Sequence, residues 1–265
     1  MFEGCRDEHE QKMEFYRNPA RIPRLSGQEA FDLNRVAERF AFKANSYYLG
    51  LIDWDDPDYP IRRLVVPHPD ELLEWGSLDA SNEAANTVAR GLQHKYDDTA
   101  LYLAGDTCAA YCRFCFRKRL FMRDNQEIDL DPEPAFAYVR EHREIRDVLV
   151  TGGDPLVLET SNLARVVEGF ASIDHVRTVR VGSKTPAFLP NRILADRALL
   201  ELFTRVAESG TALYLVAHFD HPRELTSTAL EAVAAVQATG AQVLNQCPLV
   251  RGVNDDPAVL SELFE

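Results

Sequence analysis

The sequence predicts an α/β protein, with parallel strands alternating with helices over residues 99–265 and a mainly helical region over residues 1–98. Two observations predict it. Five short β-rich runs recur from Thr99 onward, and segments with helical periodicity fill the gaps between them. That alternation implies βαβ units, right-handed crossovers and a parallel sheet, curved as in a full or partial barrel.

In chain order, the first hundred residues carry polar helical stretches, a segment with Pro57 and Pro60, and then "HPDELLEWGSLDASNEAANTVARG", read as mostly helix. The runs "TALYLAG", "DVLVTGG", "TVRVGSK", "ALYLVAHF" and "AQVLNQCP" are of the kind that make buried parallel strands. Between them, "DPEPAFAYVREHREI", "ETSNLARVVEGFASI", "LADRALLELFTRVAESG" and "TSTALEAVAAVQATG" read as helices. Two of these stop at Gly210 and Gly240, and Ser227 and Thr228 sit near the start of one.

The chain has 265 residues, 46% of them hydrophobic and 27% charged, enough for one sizeable core or two modest ones. Lysine and arginine number 29 against 42 aspartates and glutamates, a formal charge of −13 that repels phosphate backbones and anionic membranes. Neither nucleic acid nor membrane is therefore an expected partner. No apolar run approaches the roughly 20 residues of a membrane span, and Met1 to Glu10 is too charged for a secretory signal, so a cytoplasmic location is the default expectation.

Ligands of such folds gather at the C-terminal ends of the strands. The residues there are Cys108 to Cys115, Gly152-Gly153-Asp154, Gly182-Ser183-Lys184, His218-Phe219-Asp220 and Asn245-Gln246-Cys247. All five ends carry polar, glycine or thiol groups, as an active-site rim would, although loops are commonly polar in any case.

Cys5 and Cys247 stand alone, whereas Cys108, Cys112 and Cys115 crowd into "CAAYCRFC". An odd, clustered set points to metal or redox chemistry rather than to disulfide staples. Thiolates suit iron–sulfur clusters and zinc alike, but a structural zinc wants four closed ligands, and His94 and His142 lie well outside the loop. Three thiolates on a four-iron cluster would leave one iron open to a substrate or cofactor.

The Cys-x3-Cys-x2-Cys loop after the first strand, with Phe114 before its last cysteine, resembles the radical S-adenosylmethionine superfamily. The runs "CAAYCRFCFRKRLF", "REIRDVLVTGGDPLVL", "VRVGSKTPAFLPNRI", "HFDHPRELT" and "LNQCPLVRGVNDDP" narrow the resemblance to the lysine 2,3-aminomutase family, and "FAFKANSYYLGLIDWDDPDYPIRR" resembles its N-terminal region. The likeness runs in the same order from about Phe40 to the last residue.

The resemblance implies a partial (β/α)6 radical SAM barrel. It implies a [4Fe-4S] cluster on Cys108, Cys112 and Cys115, whose unique iron takes S-adenosylmethionine. It places Phe114 near the adenine and gives Asp154, after Gly152 and Gly153, to the methionine ammonium. Ser183, His218 and Gln246 would contribute to the same pocket, each with a purely structural hydrogen bond as the alternative. Arg117 would hold a substrate amino acid's carboxylate, for which its planar fork is suited. The implied reaction uses a 5′-deoxyadenosyl radical and pyridoxal 5′-phosphate to move an α-amino group to the β-carbon. A one-electron reductant of flavodoxin or ferredoxin type would serve it, and the oligomeric state, including a homo-oligomer, stays open.

The sequence also departs from the family. The glycine-rich stretch with the pyridoxal phosphate lysine does not occur before Glu265, and the acidic residues that read the substrate's far end lie beyond the equivalent of "RGVNDDP". Where the family often has two arginines near the cofactor phosphate, this chain has Lys95 and Thr99. Five strands are visible where the superfamily core has six, so we expect the last strand and the C-terminal region to be missing. The alternatives are a radical enzyme without pyridoxal phosphate, acting on another substrate, a non-catalytic iron–sulfur protein, and a truncated product that does nothing.

Overall fold

The computed structural model describes residues 13–74, 76–122 and 125–265; the stretch from Met1 to Glu10, with Cys5, lies outside the described residues. Strand β1 (Phe15–Tyr16) pairs antiparallel with β2 (Ala44–Asn45), and helix α1 (Gly27–Arg39) lies between them in sequence. Ser26 caps α1 by accepting from the Glu29 amide, and Ala30, Leu33 and Val36 recur on its buried face. Short helices α2 (Ser46–Leu49) and α3 (Pro60–Val65) follow.

Within the region 1–98 read as mainly helical, the later part instead contains two 3-10 turns, Pro69–Leu72 and Ala84–Asn86, and a hairpin of β3 (Thr87–Ala89) with β4 (Leu92–Tyr96). The hairpin turns on Arg90 and Gly91, where Gly91 has φ +78°. Helical periodicity loses here because β4 covers the edge of the next strand, burying Leu92 and Gln93 against it.

The five β-rich runs form β5 (Thr99–Gly105), β6 (Asp147–Gly152), β7 (Thr178–Ser183), β8 (Ala212–Ala217) and β9 (Gln242–Asn245). Together with the hairpin they make one seven-stranded sheet in the order β3-β4-β5-β6-β7-β8-β9, parallel from β5 to β9. The intervening helices are α4 (Glu133–Glu141), α5 (Thr160–Ala171), the short α6 (Thr185–Phe188) and α7 (Asn191–Leu194), α8 (Arg197–Glu208) and α9 (Ser227–Gln237), and α10 (Pro257–Phe264) closes the chain. Helices α8 and α9 end just before Gly210 and Gly240, and Thr226 caps α9.

Burial along the parallel strands alternates, and this positions the site. Ala100, Tyr102, Val148, Val150, Val179, Val181, Leu213 and Leu215 pack into one core with Val139 of α4, Phe170 of α5, Phe203 of α8 and Val236 of α9. The opposite row, Leu101, Leu149, Arg180 and Tyr214 in register across β5 to β8, is only half-buried. A sheet covered equally on both faces would read as continuous burial; here the face away from these helices stays more open.

A second core joins the N-terminal segment to the sheet. Leu33, Tyr48, Ile61, Leu64 and Val65 pack with Ala109 and Ala110 of the cysteine loop and with Phe188 of α6. The two alanines between Cys108 and Cys112 are thus packing residues that seat the loop.

Candidate functional site

The cysteine loop follows β5 and is stitched to the N-terminal segment by main-chain bonds. The Tyr111 amide donates to the Lys43 carbonyl (2.9 Å) and the Arg113 amide to the Leu64 carbonyl (2.9 Å). Lys43 Nζ donates to the Cys108 carbonyl (2.6 Å), and Arg113 forks onto Glu71 with Nε at 2.9 Å and Nη2 at 2.8 Å. A loop held at this many points presents its thiols in fixed positions.

Cys108, Cys112 and Cys115 are free thiols. Burial pushes all three up in pKa, and each thiol of Cys108 and Cys112 also feels Cys115, so the three are neighbours. Each has its own opposing cation: Lys43 at Cys108, Lys184 at Cys112, and Arg117 with Lys118 at Cys115. In a chain of formal charge −13 such placement favours a group that binds thiolates. Among the described residues no three His, Cys, Asp or Glu side chains are arranged to hold a single metal ion. Three thiolates on one loop suit a cluster that takes one thiolate per iron.

Gly152-Gly153-Asp154 lies against the root of this loop. A Cβ on Gly152, whose φ is +112°, would meet the Gly105 oxygen at 2.7 Å, and one on Gly153 would meet the Thr107 oxygen at 2.5 Å. The Gly153 amide donates to Gly105 (2.6 Å) and the Asp154 amide to Thr107 (2.8 Å). The glycines therefore serve the close approach of the ends of β5 and β6.

Asp154 is buried and accepts four bonds, from Ser183 Oγ (2.6 Å), the Leu156 amide (3.0 Å), the Lys184 amide (2.9 Å) and Thr185 Oγ1 (2.9 Å). A carboxylate has about four lone-pair sites, so these bonds use its capacity. Burial raises its pKa against the lowering pull of the Ser183 and Thr185 hydroxyls. Asp154 and Ser183 thus bind each other and tie the end of β6 to that of β7.

Phe114 meets His218 edge to face, with ring centroids 5.6 Å apart. Gln246 lies just past the edge strand β9, its amide donating to the Ala217 carbonyl (2.8 Å) and its side chain exposed. Cys247 stands apart from the three-thiol set, its sulfur 3.1 Å from Asn254 Nδ2.

Arg117 holds an internal carboxylate. Its Nε and Nη2 grip Glu83 Oε1 at 2.9 and 2.7 Å, and Arg119 joins Glu83 from the other side while forking onto Glu127. Its Nη1 lies 3.5 Å from Thr151 Oγ1. With Lys95 and Arg180, Arg117 lines a cavity of about 540 Å³ on the more open side of the sheet. Thr99 borders the same cavity and donates to Asp98.

Sequence reasoning left out a buried network beside Cys112. Lys184 Nζ reaches Asp220 Oδ2 (2.7 Å), Glu224 Oε1 (2.7 Å) and the His218 carbonyl (3.0 Å), and the Tyr48 hydroxyl donates to Glu224. Burial alone would lower the Lys184 pKa, but Asp220 and Glu224 more than reverse it, so the ammonium stays charged. Lys184 and Asp220 were visible as strand-end residues. Lys43, Tyr48 and Glu83 had no signal, because each meets the site across a long sequence separation.

Fold and site define a mixed α/β protein whose thiol-bearing loop sits at the C-terminal end of a parallel strand, surrounded by buried charge. No protein-family model matches the chain. It is 51% identical over 245 residues to a protein of Aquifex aeolicus named "Putative L-lysine 2,3-aminomutase", covering 92% of this chain and 66% of that protein. It is 31% identical over 245 residues to the L-lysine 2,3-aminomutase of Escherichia coli, covering 92% and 70% of the two chains. To the glutamate 2,3-aminomutase of Clostridioides difficile it is 32% identical over 243 residues, covering 91% and 56%. The chain belongs to the lysine 2,3-aminomutase family. It spans between 54% and 70% of the length of the curated relatives it matches.

Proposed function

We propose that this chain is the radical S-adenosylmethionine part of an amino-acid 2,3-aminomutase, its sheet forming the partial (β/α)6 barrel of that superfamily. The observation that carries the reading is the group of three free thiols at the end of β5, each beside a cation. Cys108, Cys112 and Cys115 hold the [4Fe-4S] cluster.

When bound, the cluster and adenosylmethionine supply a carbon-centred radical that removes hydrogen, and pyridoxal phosphate supplies stabilisation for the migrating amine. The chain's own residues bind and orient. Phe114 and His218 form the wall for adenine, and Gln246 adds an amide at the rim. Asp154 fixes the ends of β6 and β7 with its four bonds and so shapes the floor on which the methionine end rests. Arg117 is gripped along its Nε–Nη2 edge and offers the remaining Nη1 side to a substrate carboxylate next to Thr151. Lys95 lines the adjoining cavity and suits a phosphate as a point charge, whereas Arg180 on the same wall is paired with Asp147 at 2.8 Å. A flavodoxin- or ferredoxin-type donor provides the electron.

The test is anaerobic reconstitution followed by reduction with lysine, glutamate and other α-amino acids in turn. The expected result is iron and sulfide in equal number, 5′-deoxyadenosine formation, and a β-amino acid product. A cluster that never cleaves adenosylmethionine overturns the enzymatic reading in favour of a non-catalytic iron–sulfur protein. Cleavage with neither amino-acid product nor pyridoxal absorbance favours a radical enzyme acting on another substrate.

A further inference from the structure

His218 and Asp220 face each other with an unmet need. His218 Nε2 and Asp220 Oδ1 lie 3.0 Å apart, both are buried, and neither atom has a well-aligned hydrogen bond among the described residues. Buried polar atoms are seldom left so, because each costs the desolvation of a group that water would have satisfied. Asp220 cannot swing, since its Oδ2 is held by Lys184 at 2.7 Å and its own amide donates to Glu224.

The carboxylate is an anion here. Burial pushes its pKa up, but the Lys184 ammonium and His218 more than reverse that, leaving it below its ordinary value. An ionised Asp220 only accepts, so the facing nitrogen must carry a proton. Lys184 is in turn locked by Asp220, Glu224 and the His218 carbonyl, and Glu224 by Tyr48 from the N-terminal segment. The chain of contacts therefore runs from the N-terminal core to one nitrogen of one imidazole.

The His218 side chain is 24% exposed although Nε2 is buried, so its exposure falls on the rest of the ring, beside Phe114. No described residue bonds to Nδ1. In the neutral ring a proton on Nε2 leaves Nδ1 as an acceptor.

We propose that Asp220, clamped by Lys184, is a positioning residue that fixes His218 as the Nε2–H tautomer, so that Nδ1 accepts a hydrogen bond from the adenosine part of S-adenosylmethionine. The proposal rests on reading this pocket as the adenosylmethionine site. The donor is an amine or hydroxyl of the nucleoside, and a ligand offering only an acceptor there is disfavoured.

The test uses the full chain with its cluster reconstituted and its histidines labelled with 15N. The wild type is expected to show His218 protonated on Nε2 and bare at Nδ1 near neutral pH. Asp220→Ala loses that preference and binds adenosylmethionine about tenfold more weakly by calorimetry, the scale of one hydrogen bond. Its thermal midpoint also falls, because buried Lys184 keeps only Glu224, so the comparison in the His218→Asn background separates that loss from the imidazole's orientation. His218→Asn, whose amide oxygen takes the place of Nδ1, has an affinity that adding Asp220→Ala leaves unchanged. An imidazolium or an Nδ1–H tautomer in the wild type overturns the proposal, as does equal affinity in wild type and Asp220→Ala. An Nε2–H wild type with no affinity for adenosylmethionine overturns the choice of ligand and the reading of the pocket together.

Discussion

Glu83 grips Arg117 along one edge of its guanidinium and leaves the other facing Thr151. The pair is well buried, with the side chains 6% and 12% exposed, and Arg119 shares the same carboxylate. Removing Glu83 would leave Arg117 with no carboxylate among the described residues, whereas Arg119 keeps Glu127 and Asp79. Breaking a buried pair from one side costs about 3 kcal/mol. We expect Glu83→Ala to lose about that much in urea unfolding, and a loss below about 1 kcal/mol would show the pair to be worth no more than a surface contact.

The same geometry makes a separate prediction for Arg117→Lys. Lysine can still meet Glu83 as a point charge but cannot serve two partners along two edges. The variant should therefore raise the KM for the amino acid at least tenfold while its adenosylmethionine affinity, by calorimetry, stays near that of the wild type. Equal losses in both would count against the carboxylate role.

Gly153→Ala should fail at the junction of β6 with the cysteine loop. Its Cβ would stand 2.5 Å from the Thr107 oxygen and 2.6 Å from the Thr107 nitrogen, one residue from Cys108. Backbone cannot yield as a flexible side chain does, and overpacking of this kind costs about 1–3 kcal/mol. Both thermal stability and iron uptake should drop, whereas Gly27→Ala, at the start of α1 with nothing within 4 Å, should not lower stability and should leave iron uptake unchanged.

What the sequence made legible, and what it did not, follows from range. The five β-rich runs and the helices between them are local patterns, and β5 to β9 and the helices α4, α5, α8 and α9 fall where those patterns lie. The β3–β4 hairpin was hidden because its reason for existing is the edge of β5, not its own periodicity. At the site, the cysteine spacing and the Gly-Gly-Asp run are local and stood out. The partners of those residues did not: Glu83 lies 34 residues before Arg117, and Tyr48 lies 176 before Glu224. A charge that is neutralised only by folding looks, in sequence, like any other surface charge.

Cys112→Ala should abolish the broad brown absorbance that follows anaerobic reconstitution, because one iron would lose its thiolate. Cys247→Ala should leave it intact, since that sulfur sits against Asn254 and Pro248 rather than with the three thiols. Retention of a full cluster in Cys112→Ala would sink the ligand assignment.

Alkali should weaken the fold in a window set by two tyrosines. Burial is the main cause that pushes Tyr102 and Tyr111 from 10.0 up to about 12, Asp129 adding to it at the first and Cys108 at the second. Both groups are raised in the folded state, so their share of stability is whole below pH 10 and is lost as the pH climbs toward 12, where the unfolded chain ionises and the folded one resists. Two pKa units correspond to at most about 2.7 kcal/mol per tyrosine, and at half-buried Tyr111 solvent screening makes the share smaller. Tyr102→Phe should flatten part of that alkaline loss, measured by urea unfolding at several pH values, although the ring also gives up its bond to the Asp129 carbonyl. Phenolate absorbance at 295 nm should show the same pair titrating late in the folded protein. Should Tyr102→Phe lose stability with pH as steeply as the wild type between pH 10 and 12, burial of this phenol would not be the cause.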